Sequence, residues 1–181
     1  MKKVALFDTS IIVTWINLSK YTDLFELLPN IAEYALVPQK VVEELQNYQA
    51  QGEQLMLTQR FLDRISDENG FFRLCTALDS IVYAQITQLP KVDNGEAETV
   101  AQNSVVQTDW ILIDDKQCIY PLSQTFPQIH FHNSIVVLAI LAQTQLLPDA
   151  DTAFSNLNRV YNFTERQKKQ ALLQAKQWLQ I

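Results

Sequence analysis

A short apolar run that ends on an acid constrains this chain more than any other feature. Val4-Ala5-Leu6-Phe7 runs straight into Asp8, with Thr9 and Ser10 behind it. An unbroken apolar run of this length reads as a strand buried on both faces, the habit of parallel sheets. Asp8 then stands at the strand's carboxyl end, where open α/β sheets hold their ligands. The plainer reading makes Asp8 a helix cap, or leaves the cap to Thr9 or Ser10, because Ile11, Ile12, Trp15 and Ile16 mark a helix directly after it. The pattern recurs where Trp110-Ile111-Leu112-Ile113 leads into Asp114 and Asp115. Two buried strands that both end in carboxylates weaken a cap-only reading.

Between and after these strands the periodicity alternates. Tyr34–Val37, Phe71–Cys75 (as an edge) and Gln128–Phe131 read as further strands. Helical signals begin at Thr22 and at Pro38, then run over Glu53–Ile65, Leu78–Leu89, Asp93–Val105, Ser134–Ala142, Pro148–Tyr161 and Thr164–Leu179. Strands that alternate with helices predict a three-layer α/β/α sandwich around a central parallel sheet of about five strands. At 181 residues, 48% hydrophobic, the chain suits one domain over 1–181, with the helices of 148–181 packed on it.

The net charge of -6 argues against broad, non-specific duplex binding, which rests on many cationic phosphate contacts. A nucleic acid would have to be held by a local basic patch, a metal ion or a small footprint. Cys75 and Cys118 lack metal-ligand spacing and read as reduced thiols of a cytoplasmic protein. Met1-Lys2-Lys3 imitates a signal peptide, but Asp8 interrupts the apolar region; the run 135–142 is too short to span a bilayer, so no membrane is expected. His130 and His132 share one side of a strand without a recognisable third ligand, which favours a structural or hydrogen-bonding role. Arg166, Lys168, Lys169 and Lys176 read as a solvated face.

Two more acids sit at helix starts. On the helix from Pro38, Val41, Val42 and Leu45 point inward, Glu43 points away, and Glu44 lies at the border, about 85° from the apolar centre. Asp93 and Glu96 have capping-box-like spacing. Glu96 and Glu98 flank the apolar face of their helix on opposite sides, and geometry does not choose between them. In a parallel sheet Asp8 and Asp114/Asp115 share one edge, and the helices bearing Glu44 and Glu96 or Glu98 leave from it. Carboxylates that converge without a basic partner repel one another. A hard divalent cation, Mg²⁺ or Mn²⁺, resolves this and can activate water against a phosphodiester.

Taken in order, Asp8-Thr9-Ser10, then Val37-Pro38 with Val41-Val42-Glu43-Glu44-Leu45, then Gly95-Glu96-Ala97-Glu98, then Leu112-Ile113-Asp114-Asp115-Lys116 resemble the motifs of the PIN-domain family. The likeness is to a branch with Gly-Glu-Ala-Glu and Ile-Asp-Asp-Lys motifs, and it covers the chain from Lys3 to about Pro148. It implies a three-layer α/β/α fold and a metal-dependent endoribonuclease, often the toxin of a toxin–antitoxin pair. Asp8, Glu44, Glu96 and Asp114 or Asp115 match the family's acidic positions, and Ser10 matches a hydroxyl that supports the metal site. Asn133-Ser134 stands where the family often has a small polar turn. That branch commonly has an arginine soon after Asp-Asp-Lys, whereas here Gln117-Cys118-Ile119-Tyr120 follows, and the segment from Gln49 to Val92 is longer than usual.

The expectation is then a Mg²⁺- or Mn²⁺-dependent endoribonuclease. Asp8, Glu44, Glu96 and Asp115 bind metal directly or through water, with Asp114 as a further ligand or near neighbour. Glu98 and Ser10 support them, and Lys40 and Lys116 meet RNA phosphates. An antitoxin protein and a second copy of the chain, as a homodimer, are the expected protein partners. The alternative, prompted by the absent arginine and the acidic balance, is a PIN-like protein-interaction module with weak or no catalysis. A haloacid-dehalogenase-like phosphatase needs a second acid where this chain has Ser10.

Overall fold

The computed structural model describes residues 3–66 and 69–179; Met1 and Lys2, which the signal-peptide reading involves, lie outside them. The first apolar run is strand β1 (Lys3–Phe7), and helix α1 (Thr9–Leu18) follows directly. A short helix α2 (Leu24–Leu27), capped by Asp23, leads through a 3₁₀ turn to β2 (Ala32–Pro38). Next come α3 (Gln39–Asn47), α4 (Glu53–Leu62), β3 (Ile65–Ser66), β4 (Phe72–Cys75), α5 (Ser80–Ile86) and α6 (Asn94–Val106). The chain closes with β5 (Trp110–Leu112), α7 (Lys116–Thr125), β6 (Phe131–His132), α8 (Ser134–Gln143), α9 (Ala150–Val160) and α10 (Glu165–Trp178).

The strands form one six-stranded sheet in the order β3-β4-β2-β1-β5-β6, parallel throughout. Leu6 of β1 is in register with Leu36 of β2 and Ile111 of β5. Because side chains alternate along a strand, Ala5, Phe7, Trp110 and Leu112 enter one core with α1, α8, α9 and α10. Leu6, Ile111 and Ile113 enter the other with α5, α6 and α7. This is the expected three-layer sandwich.

Topology decides where a ligand can sit. From β1 the chain crosses by α1 on the first face toward β2; from β5 it crosses by α7 on the second face toward β6. The crossovers diverge between β1 and β5, which makes their carboxyl ends the switch-point crevice of the sheet. Asp8 and Asp114/Asp115 lie at that crevice.

Several element readings change. The helix expected through Ile65 stops at Leu62, and Ile65–Ser66 pairs with β4, so β4 is interior rather than an edge. The segment after Asp115 forms α7, which carries Pro121 inside it. His132 packs edge-on against Trp110 with ring centroids 5.6 Å apart, and its Nδ1 has no hydrogen-bond partner among the described residues. Burial pulls its imidazole down to about 4, so the ring is a neutral packing element. No helix among the described residues is long and apolar enough to cross a membrane.

Candidate functional site

The crevice is walled by helices, and α1, α3, α6 and α7 each bring an acid to it, as a cap or from within the helix. Asp8 both ends β1 and caps α1: its Oδ2 accepts from the Ser10 N–H at 2.9 Å and from the Ser10 hydroxyl at 2.6 Å. The same Ser10 oxygen accepts from the backbone N–H groups of Asp114 at 2.9 Å and Asp115 at 3.3 Å. One hydroxyl therefore ties the end of β1 to the end of β5.

The neighbouring aspartates diverge. Asp114 is buried and accepts through Oδ1 from the Ser134 N–H at 2.8 Å and through Oδ2 from the Ser134 hydroxyl at 2.6 Å. It thereby anchors the start of α8, where the helix dipole favours an anion. Trp15 donates its indole N–H to the same Ser134 oxygen at 2.9 Å, and Tyr161 donates its hydroxyl to the Asp114 carbonyl at 3.1 Å. Asp115 turns toward the other face, where its Oδ1 caps α7 by accepting from the Gln117 N–H at 2.6 Å.

The two glutamates of α6 also part. Glu96 is buried beneath the crevice and closes a capping box with Asp93, whose N–H it accepts through Oε2 at 3.0 Å. Glu98 reaches across to α3, accepting from the Lys40 N–H at 3.2 Å and the Gln102 side-chain amide at 3.2 Å. It satisfies a helix-start amide that has no intrahelical partner. Glu44 enters from α3, where its Oε2 accepts from the Thr9 hydroxyl at 2.5 Å. Its carboxylate lies against the backbone of Gly95, at which a Cβ would stand 2.7 Å from Oε1. The absent side chain thus lets α3 and α6 share a wall.

The two lysines singled out from the sequence are engaged elsewhere. Lys40 pairs with Glu43 at 3.4 Å. Lys116 donates to the Asn162 carbonyl at 2.8 Å and lies 4.4 Å from the centre of the Tyr161 ring.

Burial dominates the electrostatics. It pushes Asp8 up to about 6 against the opposing hydrogen bonds from Ser10, and the nearby charges of Asp93 and Glu44 add to the rise. Burial likewise takes Glu96 up to about 7, with Asp93 and Asp8 as like-charged neighbours. Asp114 is raised by burial, and the Ser134 bonds oppose the rise. The Cys118 thiol is driven far up by burial and by Glu96. None of the ion pairs among the described residues involves Asp8, Glu44, Asp93, Glu96 or Asp115.

A divalent cation fits this donor set. Glu96, Asp115 and Cys118 each bring one ligand atom within 4.8 Å of the others. Asp93 and Cys118 are the members that sequence reasoning did not place in the site. Asp93 was visible as a cap, and caps carry no chemical label. Cys118 follows Asp115 by one helical turn of α7, a helix the sequence pattern did not reveal.

No curated protein matches the chain closely enough to name as a relative. A family profile described as a PIN domain matches residues 4–177, a span that takes in all six strands apart from Lys3 and every residue of the crevice. With a parallel sheet whose switch point gathers the acids of all four motifs, the chain belongs to the PIN-domain family.

Proposed function

We propose that this protein is a divalent-metal-dependent endoribonuclease. The PIN-domain fold is a nuclease-type fold, and it supports phosphodiester hydrolysis as the reaction class. The observation that carries the reading is the convergence of Asp8, Glu44, Asp93, Glu96 and Asp115 with no cationic side chain paired to them among the described residues.

Mg²⁺ or Mn²⁺ is the proposed cofactor, held by Asp8, Glu44, Glu96 and Asp115. Each of these carboxylates commits one oxygen to a positioning hydrogen bond: Asp8 Oδ2 to Ser10, Glu44 Oε2 to Thr9, Glu96 Oε2 to Asp93 and Asp115 Oδ1 to Gln117. Glu96 and Asp115 already bring ligand atoms within 4.8 Å of each other, and Asp8 and Glu44 would close on an ion held there. When bound, such an ion supplies a Lewis acid for the scissile phosphodiester and a more acidic water. Ser10 keeps Asp8 and the Asp114-Asp115 backbone at a fixed separation. Asp114 acts one step back, by fixing the start of α8 behind Asp115.

The test is cleavage of single-stranded RNA by the full chain with Mn²⁺, with chelator, and with Asp8→Asn. Cleavage is expected only for the unmodified chain with metal. Activity that survives both chelator and the substitution overturns the mechanism.

A further inference from the structure

Beside the carboxylates lies a groove of about 440 Å³ lined by Pro90, Lys91, Lys116, Gln117, Tyr120 and Pro121. Its two walls are continuous with the site. Pro90 and Lys91 immediately precede the turn to Asp93, and Lys116 and Gln117 immediately follow Asp115. From the proposed ribonuclease reading, on which this inference rests, we infer that the groove holds the RNA nucleotide next to the scissile phosphate. Tyr120 stacks on its base, and Lys91 pairs with its phosphate.

Three observations support this occupant. Tyr120 is 72% exposed on a helix whose other large apolar residues are covered, and aromatic faces open to solvent are what single-stranded bases stack upon. On α7, Gln117, Tyr120 and Pro121 are spaced three and four apart, so one helix face forms the floor. Pro121 has no N–H to donate to the Gln117 carbonyl, and this leaves an acceptor in the lining for a base edge.

Charge completes the argument. In a chain of net charge -6, Lys91 is an exposed cation that enters no ion pair among the described residues, whereas Lys116 contributes its stem and keeps its ammonium on Asn162. Lys91 also holds a left-handed φ of 63°, where glycine or asparagine sits more easily. Strain of that kind at a cleft is a pointer to function. The groove thus offers a stacking face, one cation and one carbonyl, a set suited to a single unpaired nucleotide rather than a duplex.

The experiment measures binding of a single-stranded RNA hexamer containing 2-aminopurine to the full chain in chelator, by anisotropy and by quenching of the fluorescent base. Tyr120→Ala is expected to weaken binding about 10-fold and to abolish quenching, while Tyr120→Trp keeps both. Lys91→Gln is expected to weaken binding and to reduce the slope of log K against log salt by about 0.7, the share of one phosphate on a single strand. Circular dichroism of each variant checks that the fold is intact. Unchanged affinity and quenching in Tyr120→Ala, or no hexamer binding by the unmodified chain, overturns the inference. Binding with quenching but no cleavage in Mn²⁺ supports the groove and removes the ribonuclease reading; cleavage unaffected by both substitutions does the reverse.

Discussion

Asp8→Asn separates the charge of the site from its architecture. The asparagine keeps an acceptor oxygen for the Ser10 amide and hydroxyl, so the cap of α1 survives. What it removes is a carboxyl whose pKa burial raises from 3.8 to about 6. A raised acid pKa favours the protonated folded state. Its contribution is full below the unfolded value and is lost as pH rises through the folded one. A shift of about two units corresponds to about 3 kcal/mol, lost between pH 4 and 7. His132 acts oppositely in an overlapping window: its lowered pKa of about 4 makes stability rise as pH climbs from 4 toward 6.5. Glu96, raised to about 7, acts in the same direction as Asp8, so the absolute profile of the metal-free protein sums several groups and does not isolate Asp8. The observable is the difference between Asp8→Asn and the unmodified chain, in chelator, by urea denaturation at stepped pH. The variant should be near parity at pH 4 and about 3 kcal/mol more stable at pH 8, roughly 6–12 °C in Tm for a chain of this size. Mn²⁺ at about 100 times its Kd should return about 2.7 kcal/mol to the unmodified chain at pH 8 and far less to the variant. A difference that stays flat within about 1 kcal/mol from pH 4 to 8 refutes a buried, charge-strained Asp8.

Gly95→Ala should leave stability within about 1 kcal/mol, since alanine favours the helix while its Cβ displaces only the tip of Glu44. Mn²⁺ affinity by calorimetry should fall about 10-fold, and unchanged affinity removes Glu44 from the ligand set. Ser10→Ala strips a partner from Asp8 and from the amides of Asp114 and Asp115, and should cost about 2–4 kcal/mol by urea denaturation; a loss under about 0.5 means solvent replaces the hydroxyl. Cys118→Ser should cut Zn²⁺ affinity at least about 10-fold with Mn²⁺ nearly unaffected, and should erase the thiolate band of a Co²⁺ titration, because thiolate selects softer ions. Equal Zn²⁺ binding by both proteins places the thiol outside the centre.

The sheet was legible where side-chain chemistry is unambiguous. Ala5–Phe7 and Trp110–Ile113 are buried from both faces, so their apolar runs are continuous and end sharply on acids. The box Asp93/Glu96 was legible because capping is local. Strand β3 was not, since two residues carry no period and exist only through pairing with β4. Helix α7 was hidden by Pro121 and by an exposed Tyr120, which blur its apolar stripe. The choices between Asp114 and Asp115, and between Glu96 and Glu98, depend on partners distant in sequence. Ser134 takes Asp114, and the Lys40 amide takes Glu98, contacts that no local pattern announces.

The Ser10 clasp also has a consequence in time. Its hydroxyl joins residues 104 positions apart, so the centre closes only when β5 has been made and has docked on β1. At a synthesis rate of roughly 5–20 residues per second, Asp8 emerges about 5–20 s before Asp115. During that interval the growing chain carries a capped first helix but an unfinished ligand set. Under the proposed ribonuclease reading, the site is therefore incomplete for that interval, beside a machine built largely of RNA.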